Sequence, residues 1–306
     1  MTRISVLVPT HDHASTLALA VESVLQQSVR DLEVLIVGDG ITDEVRAVAH
    51  ALERTDDRVR LLDLPKGPHH GEVHRHTAVQ EARGEVIAYL CDDDLFMPDH
   101  LADLVALLAD HDLAQCINGH IDPDGRVGLY VGRLDDPFYV RRLCTPEKEY
   151  NFVGITGTAH TRESYERLAT PWETTPAGAY PDHHQWRRML LAGANGMTSH
   201  RMTVIGLPTS QGGRVDWSPE ERAAELERWA ALTRAPDGQE RLDRMVAAEA
   251  LRRLTHAWRD ALDLLELRDV DAQRLAEAER RLTTITASRW WRLGKRLRPG
   301  LGGREA

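Results

Sequence analysis

A short apolar strand, Ile4-Ser5-Val6-Leu7-Val8, runs into the polar segment Pro9-Thr10-His11-Asp12-His13, and from there the chain repeats one alternation. Leu17, Ala20, Val21, Val24 and Leu25 follow at helical spacing. The unit then recurs. Val34 to Val37 ends at Gly38-Asp39-Gly40 and leads into Val45, Val48, Ala49 and Leu52, a second helical stretch. Val59 to Leu62 reads as a third strand before a helix over residues 71–82, and Val86 to Leu90 as a fourth before a helix from Pro98 to Leu108. Pro98 suits the first turn, where its missing N–H costs nothing. Strands alternating with helices of this length call for right-handed crossovers and a mostly parallel sheet covered on both faces. Ligands of such sheets bind beyond the carboxyl ends of the strands. The polar segments at those ends, residues 9–13, 38–40 and 91–94, are therefore expected to line one site.

Beyond residue 112 the pattern loosens into a short apolar piece near Cys116, a hairpin turn at Asp124-Gly125 and a mixed region to residue 205. Ser218-Pro219-Glu220-Glu221 carries an N-cap, a proline at the first helical position and a capping-box glutamate, and so opens a long helical region. Leu251, Leu254, Trp258, Leu262 and Leu265 keep helical spacing within it. The expected organisation is residues 1–112 for one ligand, residues 113–210 for a second, and a helical region over residues 218–306.

A chain of 306 residues has enough interior for a substantial core. No segment approaches the apolar run of about 20 residues that spans a bilayer, and the apolar start is too short for a signal-peptide core. Cys91, Cys116 and Cys144 share no metal-ligand spacing and form no disulfide framework. A cytoplasmic protein is expected. The formal net charge of −10 argues against a nucleic-acid partner, whose phosphates call for Lys and Arg. The tail from Ser288 differs: Arg289, Arg292, Lys295, Arg296, Arg298 and Arg304 interleave with Trp290, Trp291, Leu293 and Leu297. Such a segment is expected to act as an oligomerising helix or as a peripheral contact with an anionic membrane; an ordinary core helix with a solvated basic face is the alternative.

Asp92, Asp93 and Asp94 follow a buried-type strand directly, and three like charges there repel one another. Mg²⁺ or Mn²⁺ would relieve the repulsion, because such ions take one or two carboxylates together with substrate phosphates. A solvated acidic turn capping the next helix is the competing reading. His69, His70, His74 and His76 crowd one segment. Without a His-Glu-x-x-His or cysteine ligand set they read as a polar loop rather than a zinc site.

The series of motifs resembles family 2 glycosyltransferases of the GT-A fold. Ile4 to Asp12 is similar to the family's opening strand and Pro-Thr turn. Val37 to Asp43 resembles its Asp-Asp-Gly-Ser-Thr-Asp motif, and His74-Arg75-His76 to Gly84 its Ala-Arg-Asn segment. Asp92 to Asp94 with Pro98 resembles the metal motif, and Pro181 to Arg188 the Glu-Asp-Tyr-Asp-Leu-Trp-Leu-Arg segment. The resemblance covers residues 4–190 and implies a GT-A-type, mostly parallel α/β sheet with a helical C-terminal extension. It also implies an inverting transfer of sugar from a nucleotide-sugar donor to a hydroxyl acceptor, with Mn²⁺ or Mg²⁺ as cofactor. Carried over residue by residue, Asp39 would accept the imino N–H of a pyrimidine base, while Pro9, Thr10 and Asp12 would shape the nucleoside pocket. Arg75 would contact base or diphosphate, Asp92 the ribose, Asp93 the metal, with Asp94 supporting it. Asp182 would be the catalytic base, and His183 and His184 would touch acceptor. The chain departs from the pattern at Gly38, His76 and Pro181. Aligned on Pro98, the family's leading Asp falls on Cys91, which leaves the choice of metal ligand among the three acids open.

Two other functions share this architecture. A nucleotidyltransferase would need a glycine-rich, basic loop after the first strand, and Pro9 to His13 offers neither Gly nor Lys; a dinucleotide oxidoreductase lacks its first βα turn here. A sugar-nucleotide-binding protein without turnover would use the same fold.

Overall fold

The computed structural model describes residues 4–145, 150–169, 171–209 and 213–287. Its first part is the alternation β1 (Ile4–Thr10), α1 (Ala14–Leu25), β2 (Leu32–Asp39), α2 (Asp43–Thr55), β3 (Val59–Leu64), α3 (Val73–Glu81) and β4 (Val86–Tyr89). Strand β1 pairs in parallel with β2 and β4, and β2 with β3. All eight residues of β2 are buried, as in a strand covered on both faces. Side-chain alternation sends Val6, Val8, Val34 and Ile36 to one face with Leu17, Val21 and Val45. Leu7, Leu35, Ile87 and Tyr89 go to the other, against Ala78, Val79 and Trp186.

The chain continues through β5 (Leu95–Phe96), α4 (His100–Leu108), β6 (Leu113–Gln115), β7 (Gly119–Ile121), β8 (Val127–Leu129), α5 (Pro137–Cys144), β9 (Thr158–Thr161), α6 (Arg162–Glu166), α7 (Pro181–Leu191), β10 (Gly196–Thr198), β11 (Val204–Ile205), α8 (Pro219–Arg234) and α9 (Gly238–Ala287). The main sheet has the order β10-β6-β9-β4-β1-β2-β3. Strand β9 runs antiparallel to both its neighbours, β4 and β6, while β10 pairs in parallel with β6. This single reversal brings residues just before β9 to the carboxyl end of β4.

Pro98 does not open α4. Strand β5 pairs antiparallel with β11 and Met97 N–H donates to Thr203, which keeps the backbone extended through residue 97. Pro98 then lies in the turn, its carbonyl accepting from Ser28, and Asp99 occupies the N-cap. The hairpin at Asp124-Gly125 forms between β7 and β8, with Gly125 at φ +84°. The capping box at Ser218 and Glu221 starts α8 with both of its hydrogen bonds made.

Contacts group the chain into one unit ending at Glu249 and a second from Ala250. Within the second, the described part is helix to Ala287. There Leu251, Leu254, Trp258, Leu262 and Leu265 are all exposed at their helical spacing. The basic tail with Trp290 and Trp291 lies outside the described residues. Among the described residues no helix is long and apolar enough to cross a membrane.

Candidate active site

Strand β4 ends at Tyr89, Leu90 N–H still donates to Leu7 of β1, and a tight turn closed by Asp94 N–H on the Cys91 carbonyl carries the three acids. All three are buried, and each is held by a different part of the chain. Asp92 Oδ1 lies 2.9 Å from His13 Nδ1, in the loop between β1 and α1. Asp93 Oδ2 accepts from the Arg222 guanidinium of α8 at 2.5 Å and from Thr209 Oγ1 at 3.2 Å. Asp94 accepts from Thr156 Oγ1 at 2.6 Å and from Leu207 N–H at 2.7 Å.

These contacts set the electrostatics. The hydrogen bond to Asp92 raises the pKa of His13 to about 9 against the opposing effect of burial. Burial and the neighbouring Asp92 push Asp93 above the usual carboxylate range, and burial with Asp93 pushes Asp94 up to about 7. Packing like charges into a dry site makes ionisation costly, and a divalent cation would reverse that cost. Ligand atoms of Cys91, Asp93 and Asp94 lie within 4.8 Å of one another, and this is the one such group of metal-ligating side chains among the described residues. The carboxylates fit a single oxygen-ligated ion. The Cys91 thiol is pushed well up by burial and then by Asp94, so it stays neutral without a cation.

The acids form one wall of a cavity of about 760 Å³. Pro9, Arg75, Asn151, Thr156 and Asp182 line it as well, so the carboxyl end of β4 and the start of α7 face a common space. Arg75, on α3, is buried with its guanidinium 4.8 Å from the centre of the Trp172 ring. Burial lowers its pKa, yet arginine keeps its charge in proteins. Its Nε and Nη1 have no hydrogen-bond partner. A residue of the cavity wall that carries a buried cation with two unpartnered donors suits an anion.

Asp39 stands at the end of β2 behind the turn formed by residues 65–72. It accepts from Gly67 N–H at 2.5 Å and from Lys66 Nζ, and His74 Nε2 lies 3.3 Å away. Burial works to raise its pKa, but Gly67 and Lys66 outweigh burial and hold the carboxyl below its usual range. A side chain at Gly71 would strike Asp39, its Cβ only 2.3 Å from Cγ, and φ there is +61°. Glycine is what lets the turn lie on the carboxylate. His70 of that turn, rather than Asp39, lines the cavity. Thr10 is buried with its hydroxyl unpartnered, and Asp12 is exposed, 3.7 Å from His13.

Asp182 is the second residue of α7, whose N-cap position is Tyr180. The carboxylate accepts from its neighbour's N–H at 2.7 Å and more weakly from Asn151 Nδ2 at 3.4 Å. Burial raises its pKa above the usual carboxylate range. His183 lines the cavity but directs Nε2 to the Leu143 carbonyl at 2.9 Å, and His184 faces Glu173. The crowded histidines diverge: His74 bonds Pro65, while His76 bonds Tyr165.

Sequence reasoning placed His13 in a site-lining segment without giving it a partner, and passed over Asn151, Thr156, Thr209 and Arg222. Each reaches the site from a distant point of the chain, and Arg222, among the glutamates and arginines of α8, reads locally as a solvated charge. Only the capping box, which fixes where α8 begins, hinted that its first turn has a set position.

The profile of the family described as "Glycosyl transferase family 2" matches residues 5–175. The chain is 29% identical over 108 residues to a GalNAc(5)-diNAcBac-PP-undecaprenol beta-1,3-glucosyltransferase of Campylobacter jejuni, covering 34% of each protein. It is 35% identical over 146 residues to chondroitin synthase of Pasteurella multocida, covering 46% of this chain and 15% of that one. The chain thus spans about a third or less of these relatives. In structure it is similar to residues 1–349 of S. aureus TarS in complex with UDP-GlcNAc, with a TM-score of 0.51 and 18% identity over 80% of this chain and 71% of that one. It is also similar to the mannosyltransferase PcManGT of Pyrobaculum calidifontis in complex with GDP-Man and Mn²⁺, with a TM-score of 0.50 and 22% identity over 84% and 71%. These likenesses establish the shared fold, a mostly parallel GT-A-type sheet flanked by helices.

Proposed function

The chain belongs to glycosyl transferase family 2, and from that premise we propose that it is an inverting, metal-assisted glycosyltransferase. It moves a sugar from a nucleoside-diphosphate donor, with uridine or thymidine favoured, to an acceptor hydroxyl. The observation that carries this reading is the single cavity lined both by Asp92 to Asp94 and by Asp182, far apart in sequence. Residues 1–112 hold the donor, residues 113–210 hold the acceptor and the base, and α8 supports the donor side through Arg222.

Each residue has a task in this scheme. Asp39 accepts the imino N–H of the base once the turn over it opens, and Pro9, Thr10 and Asp12 shape the nucleoside pocket. Asp92 faces the ribose, and Arg75 supplies its free donors to the diphosphate. Asp93 and Asp94 would hold Mn²⁺ or Mg²⁺; the Mn²⁺ in the mannosyltransferase complex supports a divalent ion in this fold, and the grouping of Cys91, Asp93 and Asp94 supports its place. When bound, that ion stabilises the charge developing on the leaving oxygen. Asp182 takes the proton from the acceptor hydroxyl as its oxygen bonds to C1 and the bond from C1 to the diphosphate oxygen breaks on the opposite side. Its raised pKa makes the carboxylate a better base than an exposed aspartate.

Melting curves with UDP-, dTDP- and GDP-sugars, with and without Mn²⁺, test the donor assignment, since a ligand of the native state raises the transition temperature. A Mn²⁺-dependent rise with UDP- or dTDP-sugars, and release of nucleoside diphosphate when an acceptor is supplied, is expected. Pyrophosphate released from a triphosphate would identify a nucleotidyltransferase instead, and binding without turnover a sensor.

A further inference from the structure

Arg222 is a buried cation inside a site that the reading above gives to a metal. Its side chain is 10% exposed and that of Asp93 12%. The guanidinium bonds both Asp93 and the Thr209 hydroxyl, which itself reaches the same Asp93 oxygen. Helix architecture gives no reason for it. Arg222 stands in the opening turn of α8, just past the capping-box glutamate, where the helix dipole disfavours positive charge.

Its position is nevertheless built with care. The capping box fixes the start of α8. Just before it, the buried Arg214 forms two bonds of 2.7 Å to Glu225 of α8 and a third of 2.7 Å to the Ile121 carbonyl of β7. The opening turn of α8 is thereby tied to the sheet side of the cavity, and Arg222 meets Asp93 across 129 residues of chain.

We propose that Arg222 is a tethered counter-ion that occupies Asp93 until a divalent cation displaces it. Cation and guanidinium compete for this one carboxylate. Asp93 Oδ2 already accepts two hydrogen bonds, and a divalent ion on this carboxylate would face the guanidinium at ion-pair distance in a dry site, where like charges repel strongly. The guanidinium therefore neutralises the acidic cluster while no metal is bound and yields when metal binds. Cation loading frees the opening turn of α8 from the cavity wall.

The inference rests on the metal-assisted reading, and Mn²⁺ binding followed by electron paramagnetic resonance, without nucleotide, separates the two. Arg222→Met should bind Mn²⁺ about tenfold or more tighter than the unaltered protein, the scale of one charge-assisted hydrogen bond. Arg222→Lys keeps the charge but loses the forked geometry and should fall between them. In chelator Arg222→Met should melt below the unaltered protein, and in saturating Mn²⁺ that gap should close, because the lost ion pair is then absent from both. Equal Mn²⁺ affinities, or a melting gap that Mn²⁺ leaves unchanged, would overturn the inference and leave metal assistance standing. Absence of Mn²⁺ binding in all three proteins, both without nucleotide and with UDP added, would overturn both.

Discussion

At the β4 end of the cavity every carboxylate is answered by the chain itself: Asp92 by His13, Asp93 by Arg222 and Thr209, Asp94 by Thr156 and Leu207. At the α7 end Asp182 has a bond to its neighbour's backbone and one long contact from Asn151. Both ends pay a burial cost, which raises Asp94 and Asp182 alike. The difference lies in what offsets it. In the proposed mechanism the carboxylates of the donor side are each held by a positive or donating group, whereas the carboxylate proposed as base is left with capacity to spare. Asp39 follows the first pattern, held by Lys66 and Gly67 behind its own turn.

The sharpest way to break this contrast is Asp182→Asn, which keeps the shape and removes basicity. The turnover number should fall by about 10²-fold or more while donor affinity persists, because proton abstraction matters only in the transition state. Near-normal turnover would remove Asp182 from the mechanism. The pH profile sharpens the same point. A base works ionised, so activity should be present above the raised pKa of Asp182 and decline as pH falls through it, at a higher pH than the value of about 3.9 for a free aspartate would give. That acid limb should vanish from the residual rate of Asp182→Asn.

A smaller effect is expected at Asp39. Asp39→Asn replaces a charge-assisted acceptor by a neutral one about half as strong, so UDP affinity should weaken by about tenfold or less with turnover at saturating donor little changed. Unchanged UDP affinity, measured by isothermal titration, would place the uracil away from Asp39.

Much of this was legible in the chain. The alternation of β1 to β4 with α1 to α4 follows from periodicity, because strands buried on both faces and helices packed on one leave strong local patterns. The hairpin at Gly125 and the capping box at Ser218 follow from turn and cap chemistry. Strand β9 did not, since Thr158-Ala159-His160-Thr161 is short and polar at three of its four positions, and only its pairing with β4 and β6 makes it a strand. The acids of the site could be named, but not what holds them. Arg222, Thr156 and Leu207 reach Asp93 and Asp94 across more than sixty residues of chain, and no local spacing encodes such a contact. The exposed leucines and Trp258 of α9 keep their helical pattern without burial among the described residues, so there a period marked a helix and not a core.

In the proposed mechanism one cavity divides its labour, with cation and diphosphate at the β4 end and the base at the α7 end. A crystal structure with UDP and Mn²⁺ bound tests it most directly. Mn²⁺ is expected on Asp93, with the guanidinium of Arg222 withdrawn from that carboxylate, the diphosphate within reach of Arg75, uracil against Asp39, and the Asp182 carboxylate facing open space beside the β-phosphate. A nucleotide bound with its diphosphate on Asp182, or with Asp93 still paired to Arg222 and no metal beside it, would contradict it.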